Sequence, residues 1–141
     1  MEIIYAGCRS AHPPFDLLRE GHVKYMLLIY LGESWDKLSL TERQQIYSGQ
    51  MQLAEQLTSS GQYLAGHPLH PTSTATSVRV RDGKRLVTDG PFAETREHLG
   101  GYMLIDVKDL DEAIAIATRG PVARVGTVEV RPVREGPPTA P

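Results

Sequence analysis

The uninterrupted apolar run Tyr25, Met26, Leu27, Leu28, Ile29, Tyr30, Leu31, stopped by Gly32, constrains this chain more than any other feature. It has the length of a strand. Side chains alternate between the two faces of a strand, so continuous rather than alternating apolarity requires burial on both faces. Tyr102, Met103, Leu104, Ile105, Asp106, Val107 repeats the pattern with Asp106 as its one exception. A sheet holding both strands must leave water on each side, and the rest of the chain decides what covers it.

Ser39 followed by Glu42 is a capping box, which predicts a helix from about Leu40 to Ser60 with Gly61 as its stop. Leu40, Ile46, Tyr47, Met51, Leu53, Ala54 and Leu57 share one arc of that helix, and Arg43 and Gln50 fall inside it. Either Arg43 snorkels and Gln50 is hydrogen-bonded in the core, or the helix lines a polar cavity. Asp109 caps a second helix, with Leu110, Ala113, Ile114 and Ala117 as its stripe and Gly120-Pro121 as its end. Residues 62–73 contain Pro68 and Pro71 and read as loop. Asp82-Gly83 between alternating segments predicts a hairpin over residues 74–88, and Asp89-Gly90-Pro91-Phe92 a further turn before a polar helical turn or loop at 93–98. Gly126–Val133 is the last strand.

The resulting order is the βαββαβ of a ferredoxin-like α+β fold, with an additional β-hairpin on the second strand. Two helices cover one face of such a sheet. In 141 residues nothing is left for the other, so the expectation is a homodimer packed face to face as a dimeric α/β barrel. Val128 and Val130 then face the helices, and Glu129 and Arg131 face the partner. Three parts are expected: an N-terminal extension at 1–22, one domain at 23–134 and a mobile tail at 135–141. The extension has neither the basic start nor the apolar stretch of a secretion signal.

Composition removes several functions. Seventeen acidic against 15 basic residues, a net charge of −2 and no basic block argue against nucleic acid. A mean hydropathy of −0.28 and no long apolar run argue against a membrane span. The single Cys8 supports no internal disulfide and no four-cysteine zinc site, and fits a reducing cytoplasm.

Lys24–Tyr30, Val87-Thr88-Asp89-Gly90-Pro91-Phe92-Ala93-Glu94-Thr95-Arg96-Glu97, Leu99-Gly100-Gly101 and Val128–Val133 resemble the YCII-related proteins, in particular the subgroup named for its Asp-Gly-Pro-Phe motif. The resemblance runs from Val23 to Arg134. It implies a dimeric ferredoxin-like barrel of bacterial type and unassigned activity, in some relatives associated with sigma factors of the extracytoplasmic-function type. Because it begins at Val23, and valine codons also serve bacterial initiation, the natural chain is expected to start there. The better-studied branch pairs a His on the first helix with an Asp beside a Pro after the second. Here residues 39–60 hold no His and Gly120 precedes Pro121, so neither partner carries over.

Among candidate residues, Asp89 with Glu94 close behind could divide acid and base roles, or Asp89 could hold an Asx-turn. Glu129 and Arg131 share a strand face and could bind a small anion or form an ion pair across the dimer. With Arg43 and Gln50 they make the expected ligand-binding set. His67, His70 and His98 lack metal-ligand spacing, so no metal is expected. His98 has the chemistry of a proton carrier, yet its neighbours do not set it apart from a surface His. Two functions stay open: a small-molecule binder, with cofactor-free proton transfer of the isomerase or lyase kind if it is an enzyme, or an interaction module working with a sigma factor.

Overall fold

A computed structural model describes residues 21–138, so the expectations for the N-terminal extension, Cys8 and the last residues of the tail lie largely outside the described residues. The elements are β1 (Val23–Leu31), a short α1 (Glu33–Asp36), α2 (Leu40–Ser59), β2 (Tyr63–Pro68), β3 (Thr76–Arg81), β4 (Lys84–Asp89), β5 (His98–Val107), α3 (Leu110–Arg119) and β6 (Gly126–Pro132). β2, β5, β1 and β6 lie side by side in that order in one antiparallel sheet, and β3 and β4 form a separate ribbon. With the ribbon set aside, both chain order and spatial order match a ferredoxin-like α+β fold.

The two-sided apolarity of β1 resolves into two environments. Tyr25, Leu27 and Ile29 are buried, and Tyr25 and Leu27 join Met103, Ile105, Val107, Leu53, Leu57, Ala113 and Ile116 in the core beneath α2 and α3. Met26, Leu28 and Tyr30 take the opposite face and stay half-buried, paired with Leu104, Tyr102 and the start of β5. Val128 and Val130 pack on the helix side, leaving Glu129 and Arg131 beside Leu28 and Met26 on the open face, as expected.

α2 begins at the capping box, with Ser39 Oγ accepting from Glu42 N–H at 3.2 Å and a Glu42 carboxylate oxygen accepting from Ser39 N–H at 2.7 Å. The Asp82-Gly83 turn has positive φ at both residues, 52° and 72°, as a two-residue hairpin demands.

Four expectations are corrected. Residues 62–73 are not all loop: Tyr63–Pro68 is the second strand of the sheet. It is an edge strand bonded to β5 alone, so a proline at its end removes no needed hydrogen bond. The hairpin is therefore not an extension of that strand but a solvent-exposed ribbon. α3 buries Ala113 and Ile116 while Leu110 and Ile114 are about half exposed. In an apolar Ala-Ile-Ala-Ile segment two adjacent stripes have equal periodicity, and only the tertiary contacts choose between them. Leu40, assigned to the inner arc of α2, is 72% exposed; it is the first residue of the helix, directly after the N-cap Ser39.

Candidate functional site

A cavity of about 400 Å³ opens between the first half of α2 and the end of the sheet where β1 stops and β5 begins. Its position follows from a local irregularity. The register of β1 against β5 slips at Ile29/Tyr30, leaving Gly100 as an extra residue in β5. Such a bulge bends a strand and re-aims its neighbours. Gly100 and Gly101 are required there by close approach: a Cβ on Gly100 would stand 2.5 Å from the Leu31 side chain, and one on Gly101 3.0 Å from the His67 carbonyl. The Gly-Gly pair is thus a packing device, and it lies within β5, which begins at His98.

The walls are mostly apolar, with Ile29, Leu31, Ile46, Leu69, Leu99 and Val122, and Arg43, Tyr47, Gln50, His70 and His98 converge among them. Arg43 lies on the first turns of α2, its guanidinium carbon 5.4 Å from the centroid of the Trp35 ring and its Nη2 donating to the Asp36 carbonyl at 3.1 Å. Its Nε is buried and meets no acceptor among the described residues, and none of their carboxylates forms an ion pair with it. Gln50 is buried, and its Oε1 accepts from Val122 N–H at 3.3 Å. Both readings of this helix face therefore hold in part: Gln50 is satisfied in the core, and it also borders a cavity that is mostly apolar but carries several polar groups. The Tyr47 hydroxyl donates to Met51 Sδ at 3.3 Å, and burial pushes this phenol above its ordinary value, which keeps it a donor.

His98 is held from outside the cavity. Thr95 Oγ1 donates to the Glu97 carbonyl and lies 3.3 Å from His98 Nδ1. The segment carrying them packs on the end of β1, where a Cβ on Gly32 would stand 2.7 Å from the Arg96 carbonyl. Glu97 adds a tie to β6 by accepting from Thr127 Oγ1 at 3.2 Å.

The expected site residues divide into three groups. Arg43 and Gln50 line the cavity together. Glu129 and Arg131 form an ion pair with each other on the open sheet face. Asp89 and Glu94 are exposed, outside the cavity lining, and neither side chain is hydrogen-bonded among the described residues. The turn after Asp89 is closed instead by Gly90 N–H on the Ala75 carbonyl and by Ser77 Oγ on the Gly90 carbonyl, both at 2.7 Å. Arg131 pairs with Met26 near the start of β1, and the strand following the Asp89 turn opens opposite Leu31. His67 and His70 also part: His67 stands against Tyr102, ring centroids 6.0 Å apart, while His70 lines the cavity. Trp35 and His70 were not expected at a site, whereas Tyr47 lies on the α2 arc that also carries Arg43 and Gln50. The signal for His98 lay in its position between the long motif and Gly100-Gly101.

An antiparallel α+β domain of this topology, with an apolar-walled cavity at one end of its sheet, defines the class: a small ferredoxin-like domain. Residues 23–136 match the family model described as the YCII-related domain, and the chain belongs to that family. An uncharacterized protein of Rhizobium meliloti (strain 1021) is 46% identical over 67 residues, which cover 46% of this chain and 54% of that protein. The match thus spans about half the length of that curated relative.

Proposed function

We propose that the protein binds a small, partly apolar anion, a carboxylate above all, in the cavity beneath α2, and that it does so as a homodimer of the Asp-Gly-Pro-Phe subgroup closed into an α/β barrel over its open sheet face. The observation that carries the binding reading is Arg43. Arg43 is half-buried, its Nε is buried without an acceptor among the described residues, and the planar donor fork, unpaired with any of their carboxylates, is shaped for a carboxylate or similar anion. The cavity volume lies in the lower part of the range for small-molecule pockets, ~300–1,000 Å³. A thermal-shift screen against a metabolite library tests it. Hits should be enriched in carboxylates and should vanish in Arg43→Met; an indifferent hit list, or one unchanged in the variant, would overturn the reading. At a hundredfold excess over its dissociation constant a true ligand adds ~2.7 kcal/mol.

A second reading, an interaction module acting with a sigma factor, has one observation in its favour. Val78, Val80, Leu86 and Val87 of the ribbon are each about half exposed or more, with Phe92 78% exposed just beyond. An isolated two-stranded hairpin is marginal in water and apolar patches of this kind mark contacts. Co-purification with an extracytoplasmic-function sigma factor, abolished by Val78→Lys with Val87→Lys, would support it; co-purification indifferent to those changes would not.

A further inference from the structure

We infer that His98 is a proton acceptor facing the cavity, that Thr95 fixes the tautomer which makes it one, and that the substrate is therefore a carboxylate bearing an acidic C–H bond, as in the 2-oxo acids. The substrate class rests on the anion-binding reading; the tautomer does not.

The argument is a count of hydrogens. Thr95 Oγ1 lies at hydrogen-bond distance from both the Glu97 carbonyl oxygen and His98 Nδ1. A carbonyl oxygen can only accept, and two oxygens at that separation need a proton between them. The threonine hydroxyl has a single proton, so it points to Glu97 and turns a lone pair toward the imidazole. His98 Nδ1 must then carry the hydrogen of that contact. In the neutral ring Nε2 is left as a bare acceptor, with no hydrogen-bond partner among the described residues, on a side chain that lines the cavity. This is the arrangement in which a histidine serves as a base, one nitrogen anchored by an acceptor and the other free toward the reactant.

The cavity supplies what such a base needs. Arg43 offers a cation for the carboxylate, and mostly apolar walls surround the place of the reacting carbon. Proton transfer balances without a further reagent. The C–H bond breaks, its proton goes to His98 Nε2, and its electron pair moves into the neighbouring carbonyl as an enolate. Return of the proton to the same carbon restores the substrate, and its return to another atom of the enolate system yields an isomer. Thr95 is a positioning residue in this scheme, since it acts through His98.

Nitrogen-15 NMR of the histidine-labelled full chain, without ligand, reads the tautomer. His98 should be protonated at Nδ1 in the wild type and in Thr95→Ser, which keeps the hydroxyl, and should shift toward the Nε2–H form in Thr95→Val. An Nε2–H wild type, or a Thr95→Val spectrum unchanged at His98, overturns the positioning role. Phenylpyruvate in deuterium oxide then tests the chemistry. Exchange of its methylene protons should exceed the protein-free rate by about a hundredfold or more and return to that rate in His98→Gln. Binding of phenylpyruvate without exchange would overturn the base while leaving the anion reading intact. No binding of phenylpyruvate, with other carboxylates still bound in an Arg43-dependent way, would overturn the substrate class. Loss of all carboxylate binding would overturn the anion reading itself.

Discussion

At the scale of single residues, Arg43 is where stability and binding pull apart. Its buried Nε meets no acceptor, which costs the folded state about 1–3 kcal/mol of desolvation, whereas methionine would fill similar volume with no polar group. Arg43→Met should therefore unfold at the same urea concentration as wild type or higher, while losing roughly 10- to 100-fold in carboxylate affinity by calorimetry. A drop in both would mean that the guanidinium holds α1 against α2 rather than serving a ligand. Gly120 gives the opposite case, a residue with no chemistry and a large expected effect. A Cβ there would stand 2.3 Å from Gln50 Oε1, so Gly120→Ala must displace the amide that satisfies Val122 N–H. A loss of about 1–3 kcal/mol in urea unfolding is expected, from the stranded donor alone. Arg43 and Gln50 were legible in the sequence because charged and amide side chains on an apolar helical arc break its pattern. Tyr47 shares that arc, whereas His70 and Trp35 were not legible, since they sit on the segment after β2 and on the short α1, neither of which leaves a periodic signature.

At the scale of elements, legibility followed the strength of the local signal. The capping box, the Asp-Gly hairpin and the Asp109 cap each satisfy specific backbone groups and appear where their residues demanded. β2 was obscured because Pro68 reads as a breaker until the strand is known to lie at an edge, and the stripe of α3 because its apolar residues are too dense for periodicity to select a face. The capping box also makes a prediction with a sign. Hydrogen bonds from Ser39, its backbone N–H first and its side chain second, lower the Glu42 pKa below the ordinary 4.5. A carboxylate depressed by folding stabilises the native state above its unfolded pKa, and that contribution is lost as pH falls through the folded value. Glu42→Gln keeps an acceptor that can reach back to Ser39 but has no charge. Its melting temperature should lie below wild type near neutrality, and the gap should close as pH drops from about 4.5 toward 2; a gap constant across that range would exclude the charge as its cause. Ser39→Ala removes the other half of the box and should cost about 1 kcal/mol at neutral pH in the same melts.

At the scale of the whole molecule, the apolar run that opens β1 still asks for a second cover. Tyr25, Leu27 and Ile29 have theirs, but Met26, Leu28 and Tyr30, with Tyr102 and Leu104 beside them, line a sheet face on which neither α2 nor α3 lies. Burying one leucine fully contributes about 1.5–3 kcal/mol, so an apolar centre of this kind on a flat face is enough to drive association once a complementary surface is found. A copy of the same face is complementary in a further respect: the Glu129–Arg131 ion pair at its edge already neutralises itself, so a two-fold contact would bury no unpaired charge there. Light scattering at micromolar concentration should give twice the 15.6 kDa chain mass, with a melting temperature that rises with protein concentration. Leu28→Lys with Leu104→Lys places two ammonium groups per chain at the centre of the contact without touching the helix-side core. That variant should run as a monomer with an unchanged far-ultraviolet circular dichroism spectrum. A wild-type particle of 15.6 kDa would remove the dimer outright, and a double variant that keeps the doubled mass would move the interface elsewhere, with the exposed β3–β4 ribbon as the next surface to alter.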